Sequence, residues 1–529
     1  MSVPVFTLGA RPITIADVVL ASGGPLSVQM TDAVRDRMTA ARKVVDDHVH
    51  GEVPVYGLNT GLGGNVGHRI QPEEIPAFQE QMVRGRIAGV GGPLPIETCR
   101  AALFCRIAGL AHGGAGISLP VNDLLIAMLE RDVVPVLPSI GSLGTGDLVV
   151  LMSLAHVVIG RGQAWFRGER MPGADALAAA GLAPASLGAK DGLSIGNASA
   201  VTCAMAARAL EHFRALLAVH VGVAGFACDG YAANARIFDA RLAHARPAAG
   251  QEAAALLFRH ALDGSSLQEA GAARRVQDAI AFRALAQVTG TTMAAYASAV
   301  EAVEIELNAA ADNPLVMAET GEIHSSANFH TPAIALAFDT LAIALAHVGT
   351  ASAHRSVKLM TGRLTGLPNY LSPVGGASAG FVPLQKSVAA LQAEMRLKAQ
   401  PASLDSMTVS DTVEDLAPHT TLAIRKLDEQ MELVRWLISI EALLAAQACD
   451  LRAADDPVRR LGRAGRVLYP IVRSAAAQLV EDHETGPDAA AVHETLWAPA
   501  GIAAVDAVFA GTRSPIARSA APQLGMLKV

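Results

Sequence analysis

The chain has 529 residues, 51% of them hydrophobic and only 17% charged, with a formal net charge of −7 and no basic tract. This composition excludes a disordered chain and argues against a nucleic-acid partner. Aromatics are only 4% and the apolar content is mostly Ala, Leu and Val, which favours helices packed with close axes.

In chain order, residues 1–50 read as a capped entry helix followed by a polar amphipathic helix over 31–48, with Thr14 and Asp17 spaced as a capping box. Residues 51–70 (GEVPVYGLNTGLGGNVGHRI) form a Gly-rich loop. Helical periodicity returns over 76–130, broken at HGGAG (112–116). Segment 133–147 (VVPVLPSIGSLGTGD) is dense in Pro and Gly and reads as a tightly folded loop leading into an apolar run, 148–160. Residues 162–173 give the clearest hairpin signal. Long helices are expected from about 195 to 310, then a polar piece at 313–330 and helices over 331–364 and 381–399. A polar loop at 401–418 precedes a very long helical stretch, 419–452, and shorter helices end the chain. The expectation is one mainly α unit over 1–529. It divides into a loop-bearing region (1–200), a central bundle of long helices (201–455) and C-terminal helices (456–529). A rigid helical frame that holds loops is where chemistry usually sits.

Five Cys lie scattered without a CxxC pair, which points to reduced thiols and a cytoplasmic location. The N-terminus lacks a basic region followed by an apolar one, so no signal peptide is expected. The most apolar segments, 213–227 and 332–353, lack an uncharged run of spanning length and read as core helices, so no membrane is expected as a partner.

Several motifs fail on inspection. GLGGNVG (61–67) has its third Gly out of place for a dinucleotide loop, and no strand leads into it. GTGD (144–147) lacks the Lys of a phosphate loop. Among sixteen His only His48 and His50 are close in sequence, at the end of a polar helix, so no metal site is expected. His330 and His354 read as structural.

Other segments carry a consistent signal. YGLNTGLG (56–63), AKDGLSIGNAS (189–199), VQDAIAFR (276–283), DNPLV (312–316), SSANFH (325–330) and PASLDSMTVSDTVED (401–415) follow one another in order. Together, over roughly residues 3–510, they resemble the aromatic amino acid ammonia-lyases, histidine ammonia-lyase most closely. The resemblance implies a large bundle of long helices with Gly-rich active-site loops. It also implies a homotetramer whose sites draw loops from more than one subunit.

The departures are informative. The family's electrophile is a methylidene-imidazolone made by cyclising Ala-Ser-Gly. Here the matching loop reads GSLGTGDL (141–148), with Gly144-Thr145-Gly146 in that place. The chain's one Ala-Ser-Gly, at 21–23, lies outside any matching motif. Arg86 (GRIAG, 85–89) stands where a histidine is expected, Ile280 where a second tyrosine is expected, and Lys386 (LQKSVAALQAE, 384–394) where an apolar or tyrosine residue is usual.

A quaternary ammonium needs no electrophile, because it already leaves as a neutral amine. With a histidine-like remainder of the site, this points to ergothioneine, a trimethylated histidine with sulfur on the ring. The chain resembles the subgroup of ergothionase type, which lacks the prosthetic group and releases trimethylamine to leave thiourocanate. No cofactor is expected. The resemblance places Tyr56, Lys386, Glu414 and Arg283 in catalysis, and Asn197, Gln277, Phe329, Arg86 and Asn59 in substrate binding. Arg283 and Asn197 would hold the carboxylate, Arg as a bidentate donor. Tyr56 would take the Cβ proton, helped by nearby cations. Lys386 would supply that field or act on the thioimidazole, and Glu414 would hold the ring N–H or pair with Lys386. Phe329 would face the trimethylammonium.

Plainer alternatives stand beside these roles. Tyr56 would be a packed aromatic, Arg283 an interhelix ion pair, and Arg86 a partner of Glu80. Asn197 would cap the following helix. Glu414 would belong to a solvated acidic loop and Thr145 would be loop structure. For Lys386 the plainer reading is a solvated face in an Ala-rich stretch; against it, Lys386 lies off the stripe Leu384, Val388, Leu391 and Met395, and its own face of Ala389, Ala390 and Ala393 suggests close packing that buries it. As whole functions, the alternatives are a histidine or aromatic amino acid ammonia-lyase or aminomutase with a Thr-derived group, and a non-catalytic relative.

Overall fold

Ala, Leu and Val at helical spacing produce four long helices in the computed structural model: Ala200–Tyr231, Leu285–Leu307, Pro332–Leu359 and Thr420–Asp455. The structure describes residues 3–404 and 406–512. The chain forms two compact units, each discontinuous in sequence. The first comprises residues up to Glu211, Ala299–Asp339 and Pro401–Arg425; the second comprises His212–Ser298, Thr340–Gln400 and the chain from Lys426. Each long helix therefore contributes residues to both.

The mainly helical architecture matches the expectation. Thr14 and Asp17 cap helix Ile15–Ser22: the Asp17 carboxylate accepts from the Thr14 backbone N–H (2.9 Å) and hydroxyl (2.8 Å). The 163–172 hairpin is present, Gln163–Phe166 against Glu169–Pro172. Four strand pairings lie outside the expectation. Val133–Pro135 adds a third strand to the hairpin, Val90–Pro93 pairs with Pro138–Ile140, and Leu315–Met317 pairs with Glu322–His324. The segment 133–147 is thus part strand, its backbone groups satisfied by partners far along the chain. Val5–Leu8 and Ser27–Met30 form a further, parallel pair.

In the first unit, helix Ile96–Leu110 is buried over almost its whole length, and Phe104 meets Phe6 edge to face, centroids 5.4 Å apart. In the second, Arg355 and Glu441 form a wholly buried ion pair at 2.6 Å, and Tyr231 stacks on Phe282 at 4.0 Å.

By length and composition two helical segments, Asp191–Tyr231 and Pro332–Leu359, suffice to cross a membrane. The apolar window of the first is 100% buried inside the protein, as a core helix requires. That of the second is 56% buried, with Leu336 and Ile343 exposed along it.

Candidate active site

The loop at 142–147 is anchored in the first unit from several sides. Asp147 is fully buried; it accepts from Ser142 Oγ (2.6 Å) and from the Thr202 N–H and hydroxyl (2.8 Å each). Burial pushes its carboxyl above the ordinary value, against those hydrogen bonds. The Gly146 N–H donates to the Phe329 carbonyl (3.0 Å), and the Gly144 carbonyl accepts from the Thr331 N–H and hydroxyl (3.0 Å each). Thr145 pairs with His330 in an antiparallel bridge. Helices Leu148–Val158, Ala200–Tyr231, Pro332–Leu359 and Thr420–Asp455 all begin at residues that touch this loop or flank it. Their N-termini turn partial positive charge toward it.

Tyr56 is half-buried, and its hydroxyl accepts from the Gly63 N–H at 3.1 Å. Gln79, which sequence reasoning missed, ties this loop to the asparagine loop: its amide donates to the Gly57 carbonyl (3.3 Å) and accepts from the Gly192 N–H (3.0 Å). A glutamine in a helix carries no sequence signal for such a bridge. Asn59 is buried, and its amide clamps its own loop: it accepts from Val55 N–H (2.7 Å) and donates to the Val53 carbonyl (3.1 Å).

Arg86 is half-buried beside Tyr56. Burial lowers its pKa, and the Tyr56 phenol pulls it back up. Glu80 pairs with Arg161 instead (3.4 Å), which corrects the Arg86–Glu80 alternative.

Asn197 ends helix Asp191–Gly196 and does not cap the next one, which starts at Ala200; this corrects the capping alternative. Its Nδ2 donates to the Asn313 carbonyl (2.7 Å), and its Oδ1 faces Gly146, 3.1 Å from where a Cβ there would sit. The same Cβ would lie 3.7 Å from Phe329, which is half-buried. Glu414 is exposed in a tight turn, accepting from Ser410 Oγ (2.8 Å). That turn rests on the tyrosine loop, where a Cβ on Gly64 would meet Asp411 at 3.3 Å. The first unit thus gathers Tyr56, Asn59, Arg86, Asn197, Phe329 and the turn of Glu414.

Gln277, Arg283 and Lys386 belong to the second unit. Gln277 is exposed; Arg283 is half-buried, and burial raises the pKa of the nearby Asp278 carboxyl against the Asn234 N–H, Arg275 and Arg283. Lys386 is exposed in the first turn of helix Leu384–Lys398, which corrects the expectation of burial. Leu384, Val388 and Met395 of the expected stripe are buried and Leu391 is half-buried, but Ala389, Ala390 and Ala393 are exposed, so among the described residues nothing covers the face that carries Lys386. A cavity of about 640 Å³ in this unit is lined by Ile280, Leu285, Val288, Ile343, His354 and Lys358 among others. It contains none of the nine proposed residues. Among the described residues no group of three or more His, Cys, Asp or Glu stands together as a metal site.

A fold of long helices holding these loops in this order defines a carbon–nitrogen lyase, and the chain belongs to the aromatic amino acid lyase family, whose model matches residues 13–474. It is 36% identical to the histidine ammonia-lyase of Deinococcus radiodurans, over 87% of this chain and 88% of that one. It is likewise 36% identical to the histidine ammonia-lyase of Stigmatella aurantiaca, over 93% and 96%. Among solved structures it is similar to the ergothioneine-degrading ergothionase of Treponema denticola, bound to desmethyl-ergothioneine sulfonic acid: TM-score 0.90, 29% identity, covering 93% of this chain and 98% of that one. Histidine ammonia-lyase from Trypanosoma cruzi gives TM-score 0.85 at 28% identity, covering 96% and 95%.

Proposed function

We propose that this lyase eliminates trimethylamine from ergothioneine to give thiourocanate, without a methylidene-imidazolone, as a cytoplasmic homotetramer. The observation that carries the reading is the state of Gly144-Thr145-Gly146. Ring closure to the prosthetic group joins the third residue's nitrogen to the first residue's carbonyl carbon and then dehydrates a serine. Here the middle residue is threonine, the Gly146 N–H is engaged by Phe329, and the Gly144 carbonyl is engaged by Thr331. Gly144 has φ +82°, and a Cβ there would come within 3.0 Å of the Thr420 nitrogen and 2.9 Å of Pro418, so the family's alanine does not fit either. The residues do not fit the group, and no step runs through it.

The chemistry then needs only proton removal and charge. Tyr56 takes the Cβ proton, the Cβ–H electrons form the Cα=Cβ bond, and the C–N electrons leave with neutral trimethylamine. Arg86 beside Tyr56 supplies the cation that a tyrosine base requires. Asn197 and Arg283 hold the carboxylate, with Gln277 at its side. Phe329 faces the trimethylammonium. Lys386 and Glu414 act on the thioimidazole, so that the ring accepts charge from Cβ. The exposure of Lys386 and its small-residue face supports a site completed by a neighbouring subunit. The similarity to ergothionase supports the substrate. Buried, unpaired cysteines support a reducing compartment.

Purified protein incubated with ergothioneine should form a conjugated product absorbing in the near ultraviolet, with trimethylamine detected by mass spectrometry, while histidine stays unchanged. The second reading, a histidine ammonia-lyase, is favoured by the relatives' names. Ammonia from histidine, with a protein mass short by two waters, would establish it instead.

A further inference from the structure

Beneath Asn197 lies a cluster of buried charge that the proposed chemistry does not use. Arg106, Lys190, Asp191 and Asp312 are each at most 1% exposed. Arg106 Nη2 pairs with Asp312 Oδ1 at 2.8 Å and also donates to the Ser194 carbonyl, in the last turn of the helix that Asn197 ends. Lys190, the residue before that helix, donates to the Ala115 carbonyl at 2.6 Å, and Ser194 Oγ donates to the same oxygen at 2.8 Å. Asp312 precedes Asn313, whose carbonyl receives the Asn197 amide. Ser326 locks that turn by donating from Oγ to the Asp312 carbonyl (2.8 Å) and from N–H to Asn313 Oδ1 (2.9 Å). The Arg106–Asp312 pair therefore holds both ends of the hydrogen bond from the Asn197 amide to the Asn313 carbonyl.

We propose that Arg106 and Asp312, with Lys190 beside them, are positioning residues that aim the Asn197 amide at the substrate carboxylate. This inference rests on the role given above to Asn197. A buried ion pair is poor evidence of stabilisation, because desolvation offsets its attraction. This pair is also incompletely bonded: Arg106 Nε and Asp312 Oδ2 have no hydrogen-bond partner among the described residues. A pair that served stability alone would gain by filling those positions. Its geometry instead serves orientation, where a small displacement of a binding group costs rate or affinity steeply. Burial pushes Lys190 down to about 8, and Asp312 is foremost among the charges that oppose this, ahead of Asp191, while Arg106 and Arg42 press it lower. The lysine and the pair are thus one electrostatic unit.

The test is a double-mutant cycle between Asp312→Asn and Asn197→Ala, read as kcat and KM on ergothioneine and on histidine. Asp312→Asn should lower kcat/KM at least about tenfold, mostly through KM, and cost less than about twofold in the Asn197→Ala background. Arg106→Lys should recover part of the activity that Arg106→Met loses, and either can replace Asp312→Asn in the cycle if that variant does not fold. Equal fold-losses in both backgrounds would overturn the proposal. A crystal structure of Asp312→Asn gives a readout independent of substrate: the Asn197 amide should leave the Asn313 carbonyl, and an intact bond at the present distance would overturn the inference. If the wild-type protein turned over neither compound, the proposed function would fall, and the crystal structure would still decide the clasp.

Discussion

The Arg86 guanidinium sits beside the Tyr56 phenol: burial lowers its pKa and the phenol opposes that. A cation beside the phenol is placed to oppose the charge that develops on its substrate as the Cβ proton leaves. Tyr56→Phe should lower kcat/KM by about 10²–10⁴-fold. Arg86→Met should leave Tyr56 in place and retain a fraction of the activity. Full retention of kcat/KM would show that Arg86 does not act on the base.

Position 145 separates the two electrophile hypotheses. Thr145→Ala should leave turnover of ergothioneine within about tenfold of wild type, because no step needs the hydroxyl. Its intact mass should differ from wild type only by the side-chain change. Gly144→Ala should instead lower stability by about 1–3 kcal/mol, since the residue is left-handed and crowded by Pro418 and Thr420. Thermal unfolding measures the second effect and mass spectrometry the first.

Arg355 and Glu441 are both wholly buried, with Nε–Oε1 at 2.6 Å, Nη2–Oε2 at 2.8 Å and Ser352 Oγ on the same carboxylate at 2.6 Å. Glu441→Gln should cost about 3–5 kcal/mol by leaving a buried guanidinium uncompensated. Arg355→Met combined with Glu441→Leu should cost less than either single change, as chemical denaturation would report.

Asp229 lies buried against Ser265 Oγ (2.5 Å) and the Gly462 N–H (2.9 Å), and burial raises its pKa to about 6. Between its unfolded value near 4 and about 6, the folded protein binds a proton that the unfolded chain does not. This group's contribution therefore falls as pH rises through that window, by up to about 3 kcal/mol. Asp229→Asn should flatten that part of the stability profile. An unchanged slope from pH 4 to 6 would show that Asp229 does not titrate there.

Much of the fold was legible because it is written locally. The capping box at Thr14 and Asp17, the 163–172 hairpin and the long Ala-, Leu- and Val-rich helices depend on neighbours within a turn or two. Strands such as Val90–Pro93 were not legible, because their partner, Pro138–Ile140, lies far along the chain. The pattern of the 384–398 helix gave its buried stripe correctly, yet the exposure of Lys386 does not follow from it. An alanine face looks the same whether it packs on its own chain or on another surface.

The sequence by itself determined the order of the loops, the loss of Ala-Ser-Gly, and the residue types at each proposed position, since these are properties of the string. Only the tertiary structure decided which groups meet. It gave Arg86 the Tyr56 phenol in place of Glu80, made Asn197 the end of one helix and not the cap of the next, and joined Arg106 to Asp312, 206 residues away, beneath it. Helical period and turn chemistry act over a few residues, whereas a charge pairs with whatever the packed helices bring within a few ångströms of it.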